Sequence, residues 1–139
     1  MRQIRWDCEK SGCWKKKQLF KLGLFDGCFY STCGMTDIDG GVDQYGHFLF
    51  IEFKKFKGEI PSGQELFWHR LTQLSDKITL FVVEANPEED EVYSMSSVNN
   101  GHQSLWIDCD LAGLKAKMIE WRDASAARQR QDIEARKKP

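Results

Sequence analysis

Three charged residues with a distinctive spacing mark the part of this chain that could carry out chemistry. Asp39 is followed after twelve residues by Glu52, and Lys54 comes two positions later, at the end of an apolar run. Alternate residues of a strand share a face, so Glu52 and Lys54 continue the face of Phe48 and Phe50. We expect the two phenylalanines to be buried. A buried carboxylate and ammonium are costly unless they are paired or bind a metal.

These residue types suit the metal-dependent hydrolysis of a phosphodiester. Mg²⁺ takes oxygen ligands and keeps several waters, so one or two carboxylates plus a substrate phosphate are enough to hold it. Asp39 and Glu52 would supply the carboxylates, the backbone carbonyl of Phe53 is a third candidate ligand, and Asp37 is a second candidate aspartate. A bound Mg²⁺ or Mn²⁺ lowers the pKa of a water and neutralises phosphate charge. Lys54 would stabilise the charge that grows in the transition state.

The elements around these residues can be read from turn and capping signals. Asp37 and Asp39 lie on a predicted strand over 36–42, which turns at Tyr45-Gly46 into the strand that carries Glu52. A helix is predicted to begin after Pro61, with Ser62 as its N-cap and Glu65 completing a capping box. This places Gln64 in the first turn of that helix.

The remaining elements form the scaffold. The run 78–83 consists of strand formers and predicts a strand that is covered on both faces. Its connection to the preceding strand through a helix implies a right-handed crossover. Short strands are predicted at 92–95 and 105–107, with a turn at 99–101 between them. From residue 110 onward, apolar residues step by three and four, which predicts a C-terminal helix.

Asp39, Glu52-x-Lys54 and Gln64 together resemble the signature of the PD-(D/E)XK nuclease superfamily. The likeness is closest to its small phage-borne members and to the VRR-Nuc and Holliday-junction-resolvase branches. It covers residues 33–84 well and extends more weakly to residue 122. The usual proline before the motif aspartate is replaced by Ile38.

This resemblance implies a restriction-endonuclease-like α/β fold. Its αβββαβ core would be a mixed sheet flanked by helices, followed here by the C-terminal helix. The resemblance also implies that Asp39 and Glu52 bind metal, that Lys54 assists catalysis, and that Gln64 points into the site.

The number and placement of charged residues indicate whether the chain could bind DNA. The chain carries 20 Lys and Arg against 21 Asp and Glu, a net charge of −1, which argues against a generally basic nucleic-acid binder. The lysines are nevertheless clustered, whereas acidic residues are concentrated over 84–91, a segment that we expect to lie away from DNA. The lysines that we expect to contact DNA are Lys15, Lys16, Lys17, Lys55 and Lys57.

The cysteines permit a second kind of metal site. The chain has no apolar leader or membrane span, so we expect a reducing cytoplasm, that of a bacterial host if the protein is phage-encoded. There, Cys8, Cys13, Cys28 and Cys33 form two equally spaced pairs that could hold a structural Zn²⁺. The alternative is that Cys28 and Cys33 are small buried hydrophobic residues. Cys109 is expected to lie in the core.

We therefore expect one nuclease-like domain over 1–139. It would comprise a Cys- and Lys-rich segment (1–35), a catalytic core (36–109), and a C-terminal helix with a basic tail (110–139). The expected function is a Mg²⁺- or Mn²⁺-dependent DNA endonuclease that acts on structured, replicating or recombining DNA, with a homodimer as a candidate assembly. Two alternatives stay open: a catalytically silent nuclease-fold protein that binds or inhibits a protein partner, and a zinc-stapled nucleic-acid-binding module.

Overall fold

A computed structural model describes residues 22–30, 33 and 35–138. The contacts divide the chain into two compact units, Met1–Asp37 and Ile38–Pro139. The described part of the first unit contains a single-turn 3₁₀ helix at Leu22–Phe25, followed by exposed residues. All regular strands and α-helices of the described residues belong to the second unit.

The second unit is built on a mixed, open β-sheet, to which the described residues contribute six strands. The strands are β1 (Gly40–Gln44), β2 (His47–Lys54), β3 (Ile78–Asn86), β4 (Glu91–Asn99), β5 (His102–Gln103) and β6 (Ile107–Asp108). β2 pairs with β1 antiparallel and with β3 parallel, β4 is antiparallel to β3, and β5 and β6 both pair with β4. Helix α1 (Ser62–Gln73) connects the two parallel strands, and helix α2 (Leu111–Lys137) ends the unit. The predicted α/β class, the mixed sheet and the C-terminal helix are confirmed.

Two tight turns have the backbone that their sequences predict. Tyr45 and Gly46 have φ angles of 55° and 83°, and Asn100 and Gly101 have φ angles of 52° and 80°. Two successive positive φ angles are the mark of the two-residue hairpin turn whose twist matches that of the flanking strands. These turns set the register of β1 with β2 and of β4 with β5.

Each face of the sheet carries its own core, covered by one helix. One core joins buried β-strand side chains to α2, and its members are Leu49, Ile51, Phe81, Val83, Ala85, Met95 and Leu114. The other joins Leu80, Val82 and Val98 to Trp68 of α1, with Phe50 packed against it. The side-chain alternation of β2 and β3 thus divides their residues between two helices. Glu52 lies on the same face as Phe50, on the side of α1.

The expectation that Phe48 is buried is wrong, because α1 does not cover the first half of β2. Phe48 is 38% exposed and Phe50 is half-buried. α1 makes its main sheet contacts with β3 and β4. The opposite face of β2 is the buried one, since Leu49 and Ile51 pack under α2.

β4 is longer than the predicted strand over 92–95. Its additional residues include Ser96, which is fully buried, as is Ser94 within the predicted range. The Ser94 hydroxyl donates to Glu84, and the Ser96 hydroxyl donates to the carbonyl of Ser104. Hydroxyls can be buried in this way because each has a hydrogen-bond partner.

α2 begins where its sequence predicts and remains helical to Lys137. Leu114, Met118 and Trp121 of its predicted apolar stripe pack on the core, whereas Leu111 is exposed. The Asp110 side chain caps the helix by accepting from the N–H of Gly113 at 2.8 Å. Further along, the Arg128 guanidinium contacts the Asp76 carboxylate at 2.6 Å, which joins the helix to the turn before β3. No helix within the described ranges is long and apolar enough to cross a membrane.

Candidate active site

The Glu52 carboxylate is buried at the end of β2, where three groups approach it. The residue is 1% exposed. Its Oε1 accepts a hydrogen bond from the backbone N–H of Asp39 at 3.3 Å, and its Oε2 accepts one from the Gln64 side-chain amide at 3.2 Å. The Lys54 ammonium lies 4.0 Å from Oε2, and its side chain is 24% exposed. The structure thus brings Asp39, Glu52, Lys54 and Gln64 together.

Asp39 lies immediately before β1 and is itself exposed. Its Oδ2 accepts a hydrogen bond from the backbone N–H of Phe53 at 2.8 Å. In a strand, the N–H and C=O of one residue point to the same side, so the Phe53 carbonyl is directed to the side on which Asp39 lies. Asp39 is therefore tied to β2 twice, through its own N–H and through its carboxylate.

The strand predicted over 36–42 is shorter than expected, because β1 begins only at Gly40. Neither Asp37 nor Asp39 is therefore part of a strand, and strand alternation does not place them on a common face. Asp37 belongs to the first unit, where it is exposed.

Gln64 reaches Glu52 because α1 begins beside the end of β2. The N-cap of α1 is Pro61, without a side-chain cap, so the predicted N-cap at Ser62 is wrong by one residue and the predicted capping box with Glu65 is not formed. The Pro61 carbonyl accepts hydrogen bonds from the N–H groups of Gln64 and Glu65. One turn later, buried Trp68 holds the helix against the sheet. Gln64 thus points into the site from the first turn, on the face that Trp68 buries.

Glu84, the first residue of the acidic segment 84–91, adjoins the site. The parallel register places Glu84 beside Lys54. Its Oε2 accepts from the backbone N–H of Lys57 at 3.0 Å, and its Oε1 accepts from the Ser94 hydroxyl at 3.2 Å. Glu84 therefore holds the turn that follows Lys54. A sequence signal for it exists, since the carboxyl ends of adjacent parallel strands gather functional residues.

Lys57 is held by a second contact as well as by its backbone. Its ammonium lies 5.9 Å from the centroid of the Trp106 ring, within the range of a cation–π interaction. Lys57 and Lys55 are both exposed. These two predicted DNA-contacting lysines thus carry exposed positive charge in the segment that follows β2.

The donors at the site are hard oxygen ligands. Among the described residues, no group of three or more His, Cys, Asp and Glu side chains is placed to share a metal ion. A Mg²⁺ or Mn²⁺ at this site would therefore rely on two carboxylates, those of Asp39 and Glu52, together with the Phe53 carbonyl, water and substrate phosphate. That donor set fits these cations, which keep several waters and bind few protein ligands.

The remaining predicted site residues are cysteines and lysines. Cys28 and Cys33 are exposed, so the alternative that they are buried hydrophobic residues is wrong. Cys109 packs partly buried against the core, and burial raises the pKa of its thiol. The candidates that lie outside the described residues are Cys8, Cys13, Lys15, Lys16 and Lys17.

Comparison of the chain with models of known protein families, with curated proteins and with solved structures finds no match.

Proposed function

We propose that this protein is a Mg²⁺- or Mn²⁺-dependent deoxyribonuclease of the PD-(D/E)XK type. The observation that supports this most strongly is the buried Glu52 carboxylate with Asp39, Lys54 and Gln64 around it. A carboxylate and an ammonium are expensive to bury, and neither is needed to complete the apolar core. Four residues that are up to 25 positions apart in the sequence meet at this point, at the end of two parallel strands.

Each residue has a role that follows from its placement. A metal held by Asp39, Glu52 and the Phe53 carbonyl would lower the pKa of a water and neutralise charge on the phosphate. Lys54 carries its ammonium at the solvent-accessible edge of the site, where it can contact a phosphate oxygen and stabilise the growing negative charge. Gln64 fixes the orientation of the Glu52 carboxylate by donating to Oε2.

The order of elements supports the same assignment. β1, β2, α1 and β3 form a consecutive ββαβ unit in which β2 and β3 are parallel. This agrees with the last four elements of an αβββαβ core. Most residues before β1 lie outside the described residues, so the comparison concerns these four elements alone.

The second candidate is a catalytically silent protein that has kept this fold for binding. One observation favours it: both oxygens of Glu52 already have partners within the protein. A carboxylate that is satisfied in this way can serve as a purely structural group. The two candidates differ in whether a divalent metal and Lys54 are required for turnover.

The test is the cleavage of linear duplex, single-stranded and four-way-junction DNA with Mg²⁺ or Mn²⁺. Wild type is compared with Lys54→Met and with Lys115→Met as the matched control, because Lys115 is an exposed lysine of α2, which covers the other face of the sheet. We expect metal-dependent cutting that Lys54→Met slows by about 100-fold or more, as for the loss of one preorganised charge-stabilising group. Lys115→Met should keep its activity within a few fold.

Unchanged cutting by Lys54→Met would contradict the assigned role of this lysine. If wild type cuts none of these DNAs with either metal but binds DNA or a protein, the nuclease proposal fails and the silent candidate is correct.

A further inference from the structure

A stacked pair of phenylalanines lies on β2 directly before the candidate active site. The ring centroids of Phe48 and Phe50 are 6.3 Å apart, and their planes differ by only 7°. Both rings share a face with Glu52, because alternate residues of a strand point the same way. With a rise of about 3.3 Å per residue, Phe50 is about 7 Å and Phe48 about 13 Å from Glu52 along the strand.

β1 pairs with β2 beside these rings and leaves Phe48 exposed and Phe50 half-buried. Gly41 of β1 lies opposite Phe50, and a Cβ added at Gly41 would be 3.2 Å from the Phe50 ring. The ring therefore lies against the glycine backbone, where a larger residue would displace it. Asp43 lies opposite Phe48, which stays 38% exposed. An apolar aromatic surface thus leads along β2 into a charged site.

We infer that Phe48 and Phe50 form a stacking platform for unpaired nucleobases, an inference that rests on the proposed nuclease function and specifies its substrate as single-stranded DNA or the single-stranded part of a branched DNA. Unpaired bases offer apolar flat faces, and base–aromatic stacking tolerates any sequence. In a duplex, these faces are hidden in the base stack, so a ring on a strand surface reaches them only at an open end.

The charges along the same path match the backbone of such a strand. Lys54 lies on the face of the two rings, Lys55 is the next residue, and Lys57 follows two positions later. A DNA strand laid along β2 would place bases on the aromatic rings and phosphates near these ammonium groups. Asp43 is the acidic residue opposite Phe48, so the positive charge lies at the Lys54 end of the path, where ammonium groups suit the phosphates of a nucleic acid better than an apolar protein segment.

The test measures the binding of a short fluorescein-labelled oligothymidine and of a blunt duplex of the same length by anisotropy, in Ca²⁺. The variants are Phe48→Leu, which keeps an apolar side chain without the aromatic face, and Tyr93→Leu as the matched control. Tyr93 is a comparably exposed aromatic residue, 45% exposed, on β4. We expect Phe48→Leu to weaken oligothymidine binding by about fivefold or more while duplex binding changes less than twofold. Tyr93→Leu should change neither.

Three outcomes would overturn the inference: no measurable oligothymidine binding by wild type, an equal loss on both DNAs, or unchanged binding by Phe48→Leu. Size-exclusion chromatography of the same variants identifies a competing occupant, because a dimer that Phe48→Leu alone dissociates would assign this face to a second copy of the chain. Failure here is distinguishable from failure of the nuclease proposal. If wild type cuts DNA and Phe48→Leu binds oligothymidine as wild type does, only the platform is refuted. If oligothymidine binding depends on Phe48 but wild type cuts no DNA, only the nuclease proposal is refuted.

Discussion

Replacing Lys54 by methionine measures how much its ammonium offsets the free-energy cost of burying the Glu52 carboxylate. Methionine keeps the length and apolar stem of the side chain but removes the ammonium, which lies 4.0 Å from Glu52 Oε2. Two unit charges at about 4 Å interact by about 4 kcal/mol at an effective dielectric constant of about 20. Lys54 is 24% exposed, so solvent screens part of this attraction, and we expect about half of it, about 2 kcal/mol, as the loss of folding stability.

The assay is thermal unfolding followed by circular dichroism in EDTA, so that no added divalent cation replaces the missing charge. A loss of about 2 kcal/mol in a unit of this size lowers the Tm by about 8 °C. Lys55→Met is the matched control, because it removes a neighbouring exposed ammonium and should change stability by less than about 0.5 kcal/mol. Equal Tm values for wild type and Lys54→Met would refute the reasoning, since the carboxylate would then be stabilised without the lysine.

Two further predictions concern polar contacts of the second unit. Gln64→Ala removes the amide that donates to the buried carboxylate at 3.2 Å. We expect a loss of about 1–2 kcal/mol in urea unfolding, whereas the exposed Gln131→Ala on α2 should be neutral, and equal effects of the two would contradict the contact. The Arg128 guanidinium hydrogen-bonded to Asp76 lowers the pKa of that carboxyl. Because the folded-state pKa is the lower one, the stabilisation is present above about pH 4 and is lost as the pH falls through the folded-state pKa. Wild type should therefore have a higher Tm than Asp76→Asn at pH 7, and the difference should shrink towards pH 2.5; a difference independent of pH would refute the linkage.

Local signals predict much of the fold because they act between neighbours in the chain. Tyr45-Gly46 and Asn100-Gly101 adopt the positive φ angles of tight hairpin turns, and Asp110 caps α2 through its own side chain. Each of these structures depends on a few adjacent residues. The strand that carries Glu52 is predictable for the same reason, since its apolar run is a local pattern.

Other features depend on contacts between distant segments, and sequence patterns misjudge them. The exposure of Phe48 depends on where α1 crosses the sheet, and α1 packs on β3 and β4. The predicted strand over 92–95 is shorter than β4 because β4 contains serines, which do not indicate a buried strand. Ser94 and Ser96 can be buried because Glu84 and Ser104 accept hydrogen bonds from their hydroxyls. From sequence alone, such polar residues predict an exposed loop, because their buried hydrogen-bond partners are not yet known.

The sequence by itself determined the residue types of the candidate site, the strand that carries Glu52 and Lys54, and the helix that begins near Gln64. Only the tertiary structure decided that these groups meet, that the Asp39 carboxylate is bonded to the backbone of β2, and that Glu84 adjoins the site. The physical reason is register. Side-chain chemistry and local periodicity are properties of a single segment. The pairing of β2 with β3 and the position of α1 on the sheet are set instead by the packing of both cores at once.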